Sequence, residues 1–331
     1  MTAADPASAA AAAEPHLGRT AFGLTLNRQT LVSIGFAFLL VVLIVVAALT
    51  AEGFFSENNL RNLSRQMVTT GLLSLGMLVV IYTAGIDLSV GSILALAGVL
   101  AAGLSESMPI PLAMAIAVAA GVACGGVNGV LVGRFLLAPF VVTLATLTTI
   151  RGLAFVYSET PIQASDPDFF ALGTNELGPV PISTLIMLAA FVVVWVFINR
   201  SAAGRAIVAI GGNAEAVRLA GISVSRHILL AYVISGFFAA LAGVILVSRV
   251  GIAQPSVGVA FELDAIAACV IGGASLAGGR GSVIGTLGGV LLLGLIDNLL
   301  TLYDVQSYWQ QVLKGLIIAL VVLARRQEEV R

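Results

Sequence analysis

The chain has 331 residues, of which 59% are hydrophobic and 10% are charged, and its formal net charge is -1. A water-soluble domain of this length could not cover its surface with so few charged residues, so the composition excludes an ordinary soluble protein and indicates the lipid bilayer as the main solvent. The low net charge also speaks against a nucleic-acid partner, which would require a clustered basic face.

Residues 1–30 are predicted to form a disordered N-terminal tail, since the first part is rich in alanine and carries Pro6 and Pro15 but few large apolar side chains. No cleavable signal peptide is expected there. About ten apolar segments follow, and a helix crosses a bilayer with about 20 such residues. They lie at residues 31–49, 67–84, 88–104, 110–133, 135–150 with a continuation to about 157, 182–198, 228–247, 264–277, 282–300 and 309–324.

This pattern predicts an all-α fold, a polytopic transmembrane helical bundle of about ten spans. The second and third spans are nearly continuous in sequence. Runs rich in glycine and alanine, such as residues 121–126 and 285–289, indicate close helix packing before they indicate a transport pathway.

The arginines predict the orientation of the bundle. With the N-terminus inside, only Arg61, Arg65 and Arg249 lie in outer loops, whereas eleven arginines lie in predicted cytoplasmic pieces. The eleven are Arg19, Arg28, Arg134, Arg200, Arg205, Arg218, Arg226, Arg280, Arg325, Arg326 and Arg331. The positive-inside rule then places both termini in the cytoplasm, so that a permease domain at residues 31–325 is followed by a cytoplasmic C-terminal tail at residues 326–331.

Several kinds of chemistry are not supported by the sequence. It contains no G-x-x-x-x-G-K-[ST] phosphate loop, so the chain is not expected to hydrolyse ATP. Cys124 and Cys269 lie in apolar segments and indicate no disulfide framework. His16 and His227 are far apart and suggest no metal site. No catalytic residue and no metal ligand is predicted, and the chain is not expected to be an enzyme.

The longest predicted internal loop, residues 199–226, carries the signals of a short helix. A good N-cap, an acid in the first turn, a base in the last turn and a glycine suited to a left-handed conformation follow one another at the required spacing. These residues are Asn213, Glu215, Arg218 and Gly221, and they predict a helix of about two turns at residues 214–220. Gly211 and Gly212 would let the chain bend into it.

Two interpretations of this helix stand side by side. It could lie across the cytoplasmic mouth and dock on a soluble partner, with Ala216, Val217 and Ala220 available for contact. It could equally be an ordinary capped connector.

Asp87 is the first acid in apolar surroundings, where an ionised group costs at least about 2.5–3.5 kcal/mol. Gly85 and Gly91 would permit a break beside it, and Ser89 could donate a hydrogen bond to its carboxylate. The break could line a transport pathway, or Asp87 could cap the N–H groups that begin the third span. We favour capping as the immediate role of the Asp87 carboxylate. We also expect the break that carries Asp87 to lie close to the transport pathway.

Other polar residues interrupt later spans or flank an outer loop. Asn128, Asp297 and Asn298 could hydrogen-bond between helices or face a polar passage for a hydroxyl-rich solute. Gln254, Glu262 and Asp264 are candidates for an external gate or a contact with a binding protein. Trp309 is expected to lie at the membrane interface.

Four longer segments resemble a known family. They are residues 81–98, 126–135, 204–224 and 261–289, read as IYTAGIDLSVGSILALAG, GVNGVLVGRF, GRAIVAIGGNAEAVRLAGISV and FELDAIAACVIGGASLAGGRGSVIGTLGG. In this order they are similar to the ribose-type carbohydrate permease subunits of bacterial ABC importers, and the resemblance covers roughly residues 30–325. The segments around Asp87 and Asp264 are also weakly similar to each other, which agrees with a fold of two weakly related halves.

The resemblance implies a multi-pass protein of the bacterial cytoplasmic (inner) membrane that works with several partners. These are a second permease copy in a homodimer, a cytoplasmic ABC ATPase and a periplasmic or extracytoplasmic sugar-binding protein. The chain itself would bind no cofactor, because the partner subunit hydrolyses ATP. The helix at residues 214–220 would be the coupling element on the ATPase, with the surrounding residues Gly204, Arg205, Gly211, Gly212, Asn213, Glu215, Ala216, Arg218 and Gly221 as its coupling loop.

Two alternatives remain at this point. One is a secondary transporter driven by a proton or sodium gradient, in which Asp87 and Asp297 would be the ion-coupling acids. The other is the same type of ABC importer for a solute that is not a sugar.

Overall fold

The computed structural model of the protein describes residues 20–21, 24–25, 28–313 and 315–316. Most of the predicted N-terminal tail, the whole predicted C-terminal tail at residues 326–331 and the end of the predicted tenth span lie outside the described residues. The chain divides into two units, residues 1–50 and residues 51–331.

The first unit contains two short strands and one long helix among its described residues. Strand β1 (Thr20–Ala21) pairs antiparallel with β2 (Leu24–Thr25). Helix α1 (Arg28–Thr50) follows, and its 23 residues extend over about 34 Å at 1.5 Å per residue. This length suffices to cross a bilayer, as predicted for residues 31–49.

The second unit is built almost entirely of helices, because an apolar chain can satisfy its backbone hydrogen bonds within each helix. The helices are α2 (Glu57–Tyr82), α3 (Val90–Ser105), α4 (Ile110–Gly133), α5 (Pro139–Tyr157), α6 (Ala171–Thr174), α7 (Ile182–Arg200), α8 (Ala202–Leu219), α9 (Val224–Val250), α10 (Phe261–Ile271) and α11 (Val283–Leu302). A 3-10 helix at Pro167–Phe170 precedes α6.

Four two-residue strands lie between the helices. Strand β3 (Ile162–Gln163) pairs antiparallel with β6 (Ile252–Ala253), and β4 (Glu176–Leu177) pairs with β5 (Val180–Pro181). The first pair joins the connection after α5 to the connection after α9. The second pair forms a small hairpin immediately before α7.

Within the described residues, six helices are long and apolar enough to cross a membrane: α2, α4, α5, α7, α9 and α11. Helix α3 is apolar but has only 16 residues. These helices confirm the predicted fold class of an all-α polytopic membrane protein. The predicted number of ten spans and the relation between two halves stay predictions.

The core of the second unit forms where α2, α3, α4 and α9 pack together, and α2, α3 and α9 each carry more buried apolar side chains than any other helix. Glycines let α4 approach α9 closely. A Cβ atom on Gly125 would lie 2.2 Å from the Tyr232 carbonyl oxygen, and one on Gly121 would lie 2.8 Å from the Gly236 carbonyl oxygen. The glycine-rich run at residues 121–126 therefore allows close packing of α4 against α9, as predicted.

The start of α2 differs from the predicted start at Met67. Ser56 caps the helix at Glu57, ten residues earlier, where its side chain accepts a hydrogen bond from the Asn59 N–H. Arg61 and Arg65 form ion pairs with Glu176 at 3.2 Å and 2.7 Å, so the charged first turns are stabilised by residues far away in sequence. Because these turns carry charged residues, a prediction from apolar runs alone places the start of the helix too late.

Helix α10 departs furthest from the prediction. The apolar run at residues 264–277 was expected to form the eighth span, but the helix comprises only the 11 residues Phe261–Ile271. This is about 16 Å at 1.5 Å per residue, about half the thickness of a bilayer core. Gly273, Gly278 and Gly279 adopt φ angles of +104°, +89° and +69°, so the chain leaves the helix and turns before α11.

The predicted long loop at residues 199–226 is mostly helical. Helix α7 extends to Arg200, α8 begins at Ala202, and α9 already begins at Val224. Ser201 separates the first two helices and caps α8 by accepting a hydrogen bond from the Gly204 N–H at 2.9 Å. The turn is tight, because a Cβ atom on Gly204 would lie 2.2 Å from the Phe197 carbonyl oxygen.

Candidate functional site

The candidate site lies at the break between α2 and α3. Helix α2 ends at Tyr82, and Ala84 then takes a left-handed conformation with φ +60°. The chain continues without helical structure to Ser89 before α3 begins at Val90. This break carries Asp87, whose side chain is completely buried.

Three donors surround the Asp87 carboxylate. Its Oδ1 accepts hydrogen bonds from the Ser89 backbone N–H at 3.0 Å and from the Ser89 hydroxyl at 2.6 Å. Its Oδ2 accepts from the Ser235 hydroxyl of α9 at 2.8 Å. The predicted bond from Ser89 is confirmed, but the backbone donor is Ser89 itself rather than the first N–H groups inside α3. Asp87 therefore closes the turn in front of α3 and ties it to α9.

Asn128 of α4 belongs to the same cluster, and it forms a hydrogen bond between segments, one of the two roles considered for it. Its Nδ2 donates to the Ser89 hydroxyl oxygen at 2.8 Å. Its Oδ1 is buried and has no hydrogen-bond partner in the described part of the chain. The Ile86 carbonyl oxygen also accepts from Thr143 Oγ1 of α5 at 3.2 Å. The break is thus held by α4, α5 and α9 together.

The cluster is closed to solvent in this conformation, since Asp87, Ser89 and Asn128 are 0% exposed and Ser235 is 1% exposed. Asp87 accepts from one backbone N–H, that of Ser89 before α3, and from two hydroxyls, so it does not cap the first N–H groups inside α3 as the capping interpretation expected. Its proximity to a transport pathway stays a prediction.

Asp297 and Asn298 lie in a different part of the bundle. Asn298 exchanges two amide hydrogen bonds with Asn59 near the start of α2, at 3.0 Å and 2.8 Å. Ser235 packs instead against Gly76, where a Cβ atom would lie 2.9 Å from the Ser235 Cα. Asn59 and Gly76 are 17 residues apart on α2 (76 − 59), which is about 25 Å of helical rise. The structure does not bring the two candidate acids together.

The predicted helix in the former loop is present at residues 214–219, and we call this segment the loop helix. Asn213 has non-helical angles, φ −161° and ψ +95°, and divides α8 in two. Its Oδ1 accepts from the Ala216 N–H at 2.9 Å, so Asn213 is the predicted N-cap. Glu215 and Arg218 form an exposed ion pair within the helix, and the hydrogen bond from Arg218 holds the pKa of Glu215 below its usual value.

The end of the loop helix also follows the prediction. Gly221 has φ +80°, its N–H donates to the Arg218 carbonyl oxygen at 3.0 Å, and the Ile222 N–H donates to the Val217 carbonyl oxygen at 3.2 Å. These two bonds form a Schellman motif, which requires a left-handed residue at Gly221.

One detail of the loop helix corrects the sequence analysis. Val217 was expected to be available to a partner, but its side chain is only 7% exposed and fixes the helix against the bundle. Ala216 and Ala220 are exposed as expected, and Leu219 is 77% exposed. The outward surface therefore consists of Ala214, Ala216, Ala220, Leu219 and the Glu215–Arg218 pair.

The third group of candidates surrounds the chain that leads into α10. Gln254 is exposed, whereas Glu262 and Asp264 in the first turn of α10 are half-buried. The residues between them pack closely on α3, because a Cβ atom on Gly91 would lie 2.2 Å from the Gly258 carbonyl oxygen. The loop thus holds the start of the short helix α10 against α3.

Arg151 is a functional candidate that sequence reasoning missed. Its Nη1 donates to the carbonyl oxygens of Pro255 and Val257, at 2.6 Å and 2.5 Å, and so fixes the loop before α10 to α5. The signal was a single arginine inside an apolar span, which is costly unless it has partners. Ser235 was missed too, because one serine in an apolar helix carries no such signal.

The six membrane-length helices define a multi-pass membrane protein, and the buried polar break between α2 and α3 is of the kind found near the binding sites of transporters. Within the described residues there is no group of three His, Cys, Asp or Glu side chains that could hold a metal ion.

Comparison with known proteins identifies the family. The family model described as "Branched-chain amino acid transport system / permease component" matches residues 59–322. The chain belongs to this family of permease components. The resemblance to ribose-type permeases is confirmed by the individual relatives. No solved structure matches the chain significantly.

The ribose import permease protein of Haemophilus influenzae is 42% identical over 86% of this chain and 90% of its own length. The ribose import permease protein of Escherichia coli K12 is 40% identical over 88% of this chain and 92% of its own. The galactose/methyl galactoside import permease protein of the same organism is 37% identical over 87% and 92%, respectively.

Proposed function

We propose that this chain is the permease subunit of a bacterial ABC importer and translocates a monosaccharide, ribose or a related sugar. The observation that carries this proposal is the identity of about 40% to ribose import permeases over nearly the whole chain. Relatives named for galactose and allose import align over the same length. The sugar class is therefore supported more strongly than any one sugar.

The proposed class determines the source of energy. In an ABC importer a separate cytoplasmic ATPase would hydrolyse ATP, and this sequence has no phosphate-binding loop of its own. The loop helix is the candidate docking element for that ATPase, because it is capped at both ends and its outward surface is exposed. Docking on a pre-formed helix avoids the entropic cost of ordering a loop.

The remaining partners and the orientation complete the proposal. Both termini and the loop helix would lie in the cytoplasm, as the arginine distribution indicates. A sugar-binding protein would dock on the opposite side of the inner membrane, where Gln254 and the connection between α5 and α7 would lie. A second copy of the chain would complete the translocation pathway as a homodimer.

The structure offers little support for an ion-driven secondary transporter. Both oxygens of Asp87 already accept hydrogen bonds from donors within the chain, and α11 carries Asp297 to a different level of the bundle. An ABC importer for a non-sugar solute would differ only in the solute that it carries. Transport assays with sugars and other solutes distinguish it from the proposed sugar importer.

Isolation of the complex tests the proposal. The tagged chain, extracted from its native membrane in mild detergent, should retain a cytoplasmic ATPase in stoichiometric amount, and mass spectrometry identifies that protein. An unrelated tagged membrane protein from the same cells is the control. Recovery of this chain with no ATPase, in a preparation that still takes up sugar after reconstitution, would contradict the proposal.

A further inference from the structure

The end of α2, the loop after α10 and α8 meet in a contact made almost entirely by backbone atoms. We call it the glycine junction, and it consists of Gly211, Gly278 and Gly279 with Tyr82 and Ala84. The Gly279 N–H donates to the Tyr82 carbonyl oxygen at 3.1 Å. A Cβ atom on Gly211 would lie 1.9 Å from that oxygen and 2.3 Å from the Gly279 nitrogen. No residue other than glycine fits at position 211 without separating the three segments.

The other glycines of the junction are equally constrained. Gly278 has φ +89°, and a Cβ atom there would lie 2.8 Å from the Ala84 nitrogen and 2.9 Å from the Gly211 Cα. Gly279 has φ +69° and lies against Gly212. The loop itself is closed by a hydrogen bond from the Ser275 N–H to the Arg280 carbonyl oxygen at 3.0 Å. Because these segments touch through closely packed backbone atoms, a displacement of one segment should move the other two with little local deformation.

Each segment of the junction leads directly to a candidate functional element. Gly211 stands two residues before Asn213, where the loop helix begins. Ala84 stands three residues before Asp87 in the break between α2 and α3. Gly278 and Gly279 lie in the loop that follows the short helix α10. The residues that lead into the loop helix therefore contact the end of α2 and the loop after α10, and Gly278 of that loop in turn contacts Ala84 in the break.

We propose that the glycine junction transmits movement of the loop helix to the break at Asp87 and to α10, so that Gly211 is a positioning residue for transport. This inference rests on the proposed function, because the movement would come from the docked ATPase. Backbone contacts suit such a role because they leave no rotatable side chain to absorb the motion.

The structure provides a matched pair of variants. Gly211→Ala places a methyl group into the junction, whereas a Cβ atom on the exposed Gly35 of α1, which belongs to no candidate site, would meet nothing within 4 Å. We expect Gly211→Ala to retain the ATPase and to hydrolyse ATP while sugar uptake per ATP hydrolysed falls by about tenfold or more. Gly35→Ala should remain within about twofold of the wild type, because the added methyl group meets no other part of the described chain.

Hydrogen–deuterium exchange provides the second measurement. Peptides that cover residues 82–89 and 274–283 should change their exchange when ATP replaces ADP on the wild-type complex, and this change should be lost in Gly211→Ala but kept in Gly35→Ala. Equal uptake per ATP in both variants would overturn the proposal. If Gly211→Ala does not assemble, the wild-type exchange decides, and unchanged exchange at both segments overturns the proposal. A wild-type chain without an ATPase would instead refute the proposed function.

Discussion

The Ser235 hydroxyl donates a 2.8 Å hydrogen bond to Asp87 Oδ2 across 148 residues of sequence, in a part of the bundle from which solvent is excluded. Ser89 supplies the other two donors to the same carboxylate. Because a buried carboxylate is costly without hydrogen-bond donors, this arrangement fixes the break between α2 and α3 against α9. Asp87 is therefore an anchor of the broken element.

The first prediction compares two substitutions of Asp87. Asp87→Asn keeps an acceptor oxygen for Ser89 and should leave substantial sugar uptake. Asp87→Leu leaves three donors unpaired, at about 1–3 kcal/mol each, and should abolish uptake and lower the melting temperature of the purified protein. Uptake is measured at matched membrane levels. Equal, near-total loss in both variants would indicate a coupled ion instead.

A second prediction concerns the amide pair of Asn59 and Asn298, which joins the start of α2 to α11. Asn59→Ala and Asn298→Ala should each destabilise the protein, and the double variant should lose less than the sum of the two. The coupling energy should be about 0.5–1.5 kcal/mol, as for a pair of buried hydrogen bonds. Denaturant unfolding in detergent measures it, and strict additivity would show that the pair contributes no stability.

The third prediction addresses the C-terminal end of the loop helix. Gly221→Val places a β-branched residue at φ +80°, which costs about 1–2 kcal/mol and should displace the helix. We expect the chain still to insert into the membrane but to retain less ATPase on purification. Gly221→Asn is the control, because asparagine tolerates left-handed angles. Full ATPase retention and coupled uptake in Gly221→Val would contradict the docking role.

The fourth prediction tests the orientation. In a background with Cys124→Ala and Cys269→Ala, Ala216→Cys should react with a membrane-impermeant thiol reagent only from the cytoplasmic side. Asp168→Cys should react only from the outside. Both positions are exposed in the structure, so access from water is not limited by packing. Labelling of both cysteines from one side would refute the proposed topology.

Features that depend on neighbouring residues in the chain could be predicted from the sequence. The cap at Asn213, the left-handed Gly221 and the bond between Ser89 and Asp87 each involve residues within a few positions of one another. Their geometry is determined locally by backbone angles and short side chains. The apolar runs likewise located most of the membrane-length helices.

Features that depend on tertiary packing could not be predicted in the same way. Ser235 and Arg151 find their partners 148 and more than 100 residues away, and no periodic pattern marks such pairs. The apolar run at residues 264–277 is long enough to predict a span. The helix nevertheless ends at Ile271, and the glycines that follow have positive φ angles and turn the chain away. Hydropathy indicates whether a segment lies in lipid or in water, but it does not show where the helix of that segment ends.

Uptake into vesicles tests the central claim of an ATP-driven permease most directly. The complex of this chain with its ATPase is reconstituted into proteoliposomes, sugar-binding protein and radiolabelled ribose are added on the side where that protein docks, and nucleotide is supplied on the ATPase side. Uptake should require ATP, stop with a non-hydrolysable analogue and continue after ionophores collapse the proton and sodium gradients. Uptake that proceeds without ATP and stops when an ion gradient is collapsed would contradict the account.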